Sequence, residues 1–141
     1  MGEARKVMDR VTKAAFAKDT KALGKLYAPD AIADTPDQGE IKGRDEVVTW
    51  VNDFMTAFPD ARYDSTRKYE SGDTAIDEGY FTGTHTGPLQ LPDGTTIPAT
   101  GKRVSMRSCD MATCQDGLVT RHRFYFDQVD FLTQLGLMPE L

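Results

Sequence analysis

The stretch Lys102-Arg103-Val104-Ser105-Met106-Arg107-Ser108-Cys109-Asp110-Met111-Ala112-Thr113-Cys114-Gln115-Asp116-Gly117-Leu118-Val119-Thr120-Arg121-His122-Arg123-Phe124-Tyr125-Phe126-Asp127 carries the strongest structural signal in the chain. Apolar and polar residues alternate on both sides of a polar turn at Gln115-Asp116-Gly117. Successive side chains on a strand point to opposite faces. Val104, Met106, Ser108, Asp110 and Ala112 therefore share one face of the first strand, and Leu118, Thr120, His122, Phe124 and Phe126 one face of the second. The opposite faces carry Arg103, Arg107, Cys109, Arg121, Arg123 and Tyr125. The mostly apolar face must turn to a core, and the basic face away from it.

Asp110 and His122 break the apolar face. With a three-residue hairpin loop and Gly117 left-handed, Asp110 falls directly opposite His122, and Ser108 opposite Phe124. Directly opposed residues have Cβ atoms ~4.5–5.5 Å apart, within hydrogen-bonding reach of a carboxylate and an imidazole. A two-residue turn shifts the pairing by one and puts His122 opposite Met111. A lone buried carboxylate is costly, and pairing relieves part of that cost. Such a pair in a hollow core can exchange a proton with a ligand near neutral pH. The same two residues also fit a satisfied polar contact in a mixed core, and both readings stay open here.

Working outward, the period predicts helices before the strands. Glu3 to Lys18 places Val7, Val11, Ala14 and Ala15 at helical spacing. A short helix follows, with Thr20 as its cap and Leu23, Leu26 and Tyr27 on one face, ended by Pro29-Asp30. Ala31 to Thr35 reads as a strand stopped by Pro36 and the turn Asp37-Gln38-Gly39. Val47, Trp50, Val51, Phe54 and Phe58 form the apolar stripe of a third helix closed by Pro59. Ala61–Glu70 and Thr74–Thr86 read as strands, Gly87–Gly101 as a long loop or hairpin tip, and Val129, Leu132 and Leu135 mark a last helix. Helices followed by a run of antiparallel strands imply α+β, with helices packed on one face of a curved sheet.

Composition bounds the function. The 141 residues fit one domain, and 39% hydrophobic with 28% charged residues is ordinary for a globular chain. No stretch approaches the ~18 apolar residues of a membrane span. The charged start MGEARKVMDR has no apolar signal core, so the expected location is cytoplasmic. The net charge is −5 with no basic run, which argues against nucleic acid. Cys109 and Cys114 match no zinc or redox spacing and read as two reduced thiols. His85 and His122 supply no metal-ligand spacing, so neither metal nor cofactor is expected. His85 lies between glycines near a strand end and is expected to be exposed. Asp34 and Asp37 read as solvated turn carboxylates.

Several stretches resemble the SnoaL-like polyketide cyclases of the nuclear-transport-factor-2-like superfamily. They are Leu26-Tyr27-Ala28-Pro29-Asp30, Gly43-Arg44-Asp45-Glu46-Val47, Phe58-Pro59-Asp60, Gly83-Thr84-His85-Thr86-Gly87, Pro98-Ala99-Thr100-Gly101, Asp116-Gly117 and Gln134-Leu135-Gly136-Leu137. The resemblance covers nearly the whole chain, which reads as one SnoaL-like domain over residues 1–141. It implies a cone of curved antiparallel sheet whose helices close an apolar pocket, usually in a homodimer, and ring closure by an intramolecular aldol reaction without metal or cofactor. It also shows departures. The cyclases carry their general acid/base aspartate where this chain has Phe124, and a histidine where it has Asp110. Related ketosteroid isomerases place an oxyanion-donating carboxylic acid at the Asp110 position, and an aspartate base where this chain has Thr35. Their first-helix tyrosine is replaced here, with Thr12 and Phe16 in that turn.

The expected function is therefore a protein that binds a mainly apolar, polyketide-like small molecule and acts on it by cofactor-free acid/base chemistry. His122 is expected to remove a proton alpha to a carbonyl, with Asp110 orienting the imidazole or donating to the oxyanion. Trp50, Phe54, Phe16, Thr35, Ser108, Phe124 and Phe126 are the expected substrate contacts. The alternatives are a non-catalytic binding protein on the same fold, favoured by Phe124, and a hydrolase or isomerase that draws a carboxylate from Asp34 or Asp37.

Overall fold

The structure is a computed structural model that describes residues 2–138; residues 1 and 139–141 lie outside the described part. The elements run α1 (Glu3–Phe16), α2 (Thr20–Gly24), β1 (Tyr27–Thr35), β2 (Gly39–Lys42), α3 (Arg44–Ala57), β3 (Arg62–Ser71), β4 (Thr74–Thr84), β5 (Leu89–Gln90), β6 (Thr96–Ile97), β7 (Arg103–Gln115), β8 (Leu118–Phe126) and α4 (Gln128–Gln134). Six strands form one open sheet in the order β2-β1-β8-β7-β4-β3, and β5 and β6 form a separate small hairpin. The α+β architecture is the expected one, with α1 and α3 on the inner face of the sheet. None of the described helices is long and apolar enough to cross a membrane.

The sheet is not wholly antiparallel as expected: β1 runs parallel to β8. The two strands are joined only by a long excursion through α3 and the intervening strands, which is the kind of connection parallel neighbours require. Tyr27 also departs from expectation, since it opens β1 instead of lying on the α2 face. The ladder to β8 is broken between Tyr27 and Ile32, around Pro29, which has no N–H to donate. Polar residues 37–39 make the expected turn, but the chain then returns as β2, which the sequence reading did not include.

The helix ends are tied by side chains. Asp19, not Thr20, caps α2 by accepting from Ala22 N at 3.0 Å. Asp127 does the same for α4 through Asp130 N at 3.0 Å. The first turn of α1 is held from outside: Glu70 at the end of β3 accepts from Gly2 N at 2.8 Å and Arg5 N at 2.9 Å. Val7, Met8 and Val11 of α1, Val47, Val51 and Met55 of α3, and Ala75, Val104, Met106, Ala112 and Val119 of the sheet are buried together in one hydrophobic core. Phe54, Phe58, Phe81, Phe126 and Phe131 pack ring to ring at centroid distances of 5.2–6.3 Å.

Candidate active site

The β7–β8 register differs from the expected one in a way that matters for the site. The turn has two residues: Gln115 pairs with Leu118, and Asp116 and Gly117 have φ of 54° and 78°. A two-residue turn with both central residues at positive φ matches the right-handed twist of the strands. Continued unchanged, that register sets His122 opposite Met111, on the basic face. The ladder instead shifts between Thr113 and Cys114, where β8 holds one extra residue. Val119 and His122 are then both buried, although an unbroken strand would point them to opposite faces. The resulting partners are Ala112 with His122, Asp110 with Phe124 and Ser108 with Phe126. Asp110 thus lies diagonal to His122 instead of directly opposite, and still bonds to it.

His122 Nε2 is 2.7 Å from Asp110 Oδ2, and His122 Nδ1 is 2.6 Å from the hydroxyl of Tyr27. His122 and Tyr27 are 2% and 1% exposed. Burial pushes the Tyr27 phenol far above its ordinary range, and the charge of Asp110 adds to the shift. Tyr27 therefore keeps its proton, and Nδ1 of His122 lies within reach to accept it. A neutral imidazole with Nδ1 accepting carries its own proton on Nε2 and donates it to Asp110. Both ring nitrogens are engaged, and the carboxylate end of the chain Tyr27–His122–Asp110 meets the cavity. The Asp110 side chain is 18% exposed against 2% for His122.

The cavity has a volume of about 100 Å³ and lies between α1, α3 and the sheet. Its polar lining includes Thr12, Ser108, Asp110 and His122, and its apolar lining is dominated by Phe16, Trp50, Phe54, Phe124 and Phe126. Phe124 stacks on the imidazole at 4.0 Å and 26°, and meets the Trp50 indole at 4.8 Å on another side. A ring thus occupies the position where the related cyclases are expected to carry an aspartate.

Of the expected substrate contacts, Trp50, Phe54, Phe16, Ser108, Phe124 and Phe126 line the cavity and Thr35 does not. Thr35 lies in an outer cleft of about 740 Å³ that shares Phe124 and Phe126 with the cavity. Its hydroxyl accepts from Gln38 N at 3.0 Å, holding the β1–β2 turn. Asp34 and Asp37 also lie off the cavity wall. Asp34 accepts from Arg121 at 2.8 and 2.9 Å, and Asp37 from the Trp50 indole at 3.2 Å. His85 is fully buried, contrary to expectation. Its Nδ1 accepts from Thr100 N at 3.2 Å, and its own N–H and C=O bond to Lys102 O and Gly101 N at 2.8 Å. It pins both ends of the loop that the glycines had suggested was open.

Sequence reading missed Arg5, Tyr63 and Asp77, and placed Tyr27 on the α2 face without its bond to His122. Tyr27 was hidden because its residue types fit the α2 pattern. Asp77 had a signal: it shares the inward face of β4 with Ala75 and Phe81. Tyr63 donates to the Ser108 carbonyl at 3.2 Å, and burial raises its phenol well above the ordinary range.

Comparison with known proteins supports the fold and the family. The sequence profile of the SnoaL-like polyketide cyclases matches residues 5–135. No curated protein sequence matches significantly. Among solved structures, a protein assigned as a SnoaL-like polyketide cyclase from Jannaschia sp. CCS1 superposes with a TM-score of 0.84 at 18% identity, covering 97% of this chain and 94% of that one. AclR from Streptomyces galilaeus, assigned as a hydroxylase, superposes with a TM-score of 0.79 at 23% identity, covering 97% and 98%. An LEH-like epoxide hydrolase from M. tuberculosis superposes with a TM-score of 0.71 at 18% identity, covering 94% and 89%. With its profile match spanning nearly the whole chain and its curved, open α+β sheet, the chain belongs to the SnoaL-like polyketide cyclase family.

Proposed function

We propose that the cavity binds a mainly apolar, polyketide-like small molecule and that Asp110 acts on it as a cofactor-free general base. One observation carries this reading: both nitrogens of His122 are spent on Tyr27 and Asp110, whereas Asp110 borders the cavity. The roles expected from sequence are thereby exchanged, with Asp110 as proton acceptor and His122 as the group that orients it. The carboxylate takes a proton from a carbon alpha to a carbonyl, and the C–H electron pair passes into an enolate. The enolate then attacks a second carbonyl to close a ring, and the π-bond electrons of that carbonyl become an alkoxide that takes the proton back from Asp110; alternatively the enolate recovers the proton at another carbon. The Nε2–H bond fixes the carboxylate throughout, and the Thr12 and Ser108 hydroxyls are within the same lining to donate to the enolate oxygen. The aromatic walls exclude water, which strengthens each of these interactions.

A cavity of about 100 Å³ suits one small ring; an apolar cavity of ~150 Å³ takes up benzene. A larger substrate has to displace Phe124 and Phe126, which border both cavity and outer cleft. The probe to use is 2-indanone, a fused two-ring ketone with acidic alpha protons, whose second ring has to displace Phe124 or Phe126. In D2O, the native protein is expected to bind it in saturation-transfer NMR and to speed deuteration of its alpha carbons above the buffer rate. Asp110→Asn is expected to bind without that acceleration.

The stacking of Phe124 on His122 favours a second reading, a binding protein without catalysis. Binding by the native protein with exchange at the buffer rate would support it over the first. We also propose that the chain forms a homodimer through the outer sheet face, where Tyr80 and Tyr125 are 41% and 53% exposed beside Arg107. Light scattering on the purified chain tests this directly.

A further inference from the structure

Behind Asp110 lies a second carboxylate that the reaction above does not use. Asp77 on β4 pairs directly with Asp110 on β7, and is 1% exposed. Side chains so paired have Cβ atoms ~4.5–5.5 Å apart. Arg5 on α1, itself 6% exposed, brings Nη2 to 2.6 Å from Asp77 Oδ1. The contact is a charge pair, not an aligned hydrogen bond: Nη2 donates to Asp9 Oδ1 at 2.8 Å, and Asp77 Oδ1 has no aligned donor among the described residues. The guanidinium is fixed on its other sides. Nε donates to Asp9 at 3.1 Å, and Nη1 to the Tyr69 and Ile76 carbonyls at 3.3 Å. Lys68 reaches Asp9 at 3.1 Å from the half-exposed edge of β3. A polar file thus runs from the surface through Lys68, Asp9, Arg5, Asp77, Asp110 and His122 to the buried Tyr27.

Two carboxylates this close resist ionising together unless a cation is near. The groups facing them are Arg5 and Asp9 from α1, Tyr63 and Lys68 from β3, Cys109 from β7, His122 from β8 and Tyr27 from β1. Arg5 is the cation in contact with the pair; Lys68, bonded to Asp9, also favours the ionised form of Asp77, from farther away. Burial and the charge of Asp110 both favour a proton on Asp77, and Arg5 opposes them.

We infer that Arg5 is a positioning residue for the proposed reaction: held against Asp77, it allows Asp77 and Asp110 to be ionised together, and so leaves Asp110 able to accept a proton. The inference rests on Asp110 as the base, but its test needs no substrate.

The experiment is a carboxyl 13C NMR titration of Asp77 and Asp110. In the native protein both are expected to be ionised at pH 7. In Arg5→Met the pair is expected to hold one proton there, with one carboxyl step moved up by about one pH unit or more. Arg5→Lys, which keeps the charge, should fall between the two. Adding Asp77→Asn to Arg5→Met should return Asp110 to the ionised form. A folded Arg5→Met with both carboxyls titrating as in the native protein overturns the inference. If Arg5→Met does not fold, Asp77→Asn alone decides: the Asp110 step moves down if the two carboxylates are coupled, and an unmoved step overturns the inference. Absence of indanone exchange in the native protein, with the titration as predicted, would count against Asp110 as base and not against its coupling to Arg5.

Discussion

Asp110 and His122 are diagonal neighbours across the β7–β8 ladder, 2.7 Å apart, and one extra residue in β8 makes them so. Because strand side chains alternate, a shift of one residue moves an entire set to the other face. The two-residue turn alone would turn the imidazole toward the arginine face. The bulge beyond Leu118 and Val119 cancels that shift and points His122 inward, where Tyr27 and Asp110 close on its two nitrogens.

The turn that starts this register depends on Gly117, at φ 78°. Gly117→Ala is expected to lose about 1–2 kcal/mol, the cost of a left-handed conformation with a Cβ. Urea denaturation measures it. An unchanged midpoint would mean that the turn does not set the register.

The Tyr27 hydroxyl fills a buried acceptor. Tyr27→Phe keeps the ring but leaves Nδ1 of His122 without a donor, at a cost of about 1–3 kcal/mol. The same denaturation experiment reads this loss, and a variant as stable as the native protein would show that the 2.6 Å contact is not a bond that matters.

Proton abstraction by Asp110 predicts an order among variants. Asp110→Asn should lose most of the indanone exchange, a fall of about 10²–10⁴ if general-base catalysis is the main contribution. His122→Gln, which retains a side-chain donor, should fall less. Exchange rates that reverse this order would return the base role to His122.

His85 gives a dependence on pH outside the site. Burial lowers its affinity for a proton, so it is neutral in the fold. Its stabilising share is complete above about pH 6.5, the unfolded value, and is lost as the pH falls toward and through the depressed folded value. His85→Asn keeps an acceptor for Thr100 N but cannot titrate. Its stability should therefore fall less than that of the native protein between pH 7.5 and pH 5.5; parallel losses would rule out His85 as a source of the acid sensitivity.

The fold was legible because long apolar periods are local: the stripes of α1 and α3 and the alternation of β7 and β8 follow from residue spacing alone. Asp110 and His122 stood out because they interrupt such a face. What escaped was set by contacts distant in sequence. The extra residue in β8 leaves no mark in the run Leu118-Val119-Thr120-Arg121. Tyr27 joins His122 across 95 positions, and Arg5 reaches a carbonyl 71 positions away. The glycines around His85 signalled an open loop, yet the bonds from Thr100 and to Lys102 and Gly101 fold the chain back over it.

The 15N chemical shifts of the His122 ring test the central claim most directly, and they require no substrate. The account predicts a ring proton on Nε2, a hydrogen-bonded and unprotonated Nδ1, and loss of that Nδ1 signature in Tyr27→Phe. A proton on Nδ1 with Nε2 bare would leave the imidazole as the free base of the site, and Asp110 could no longer hold that role.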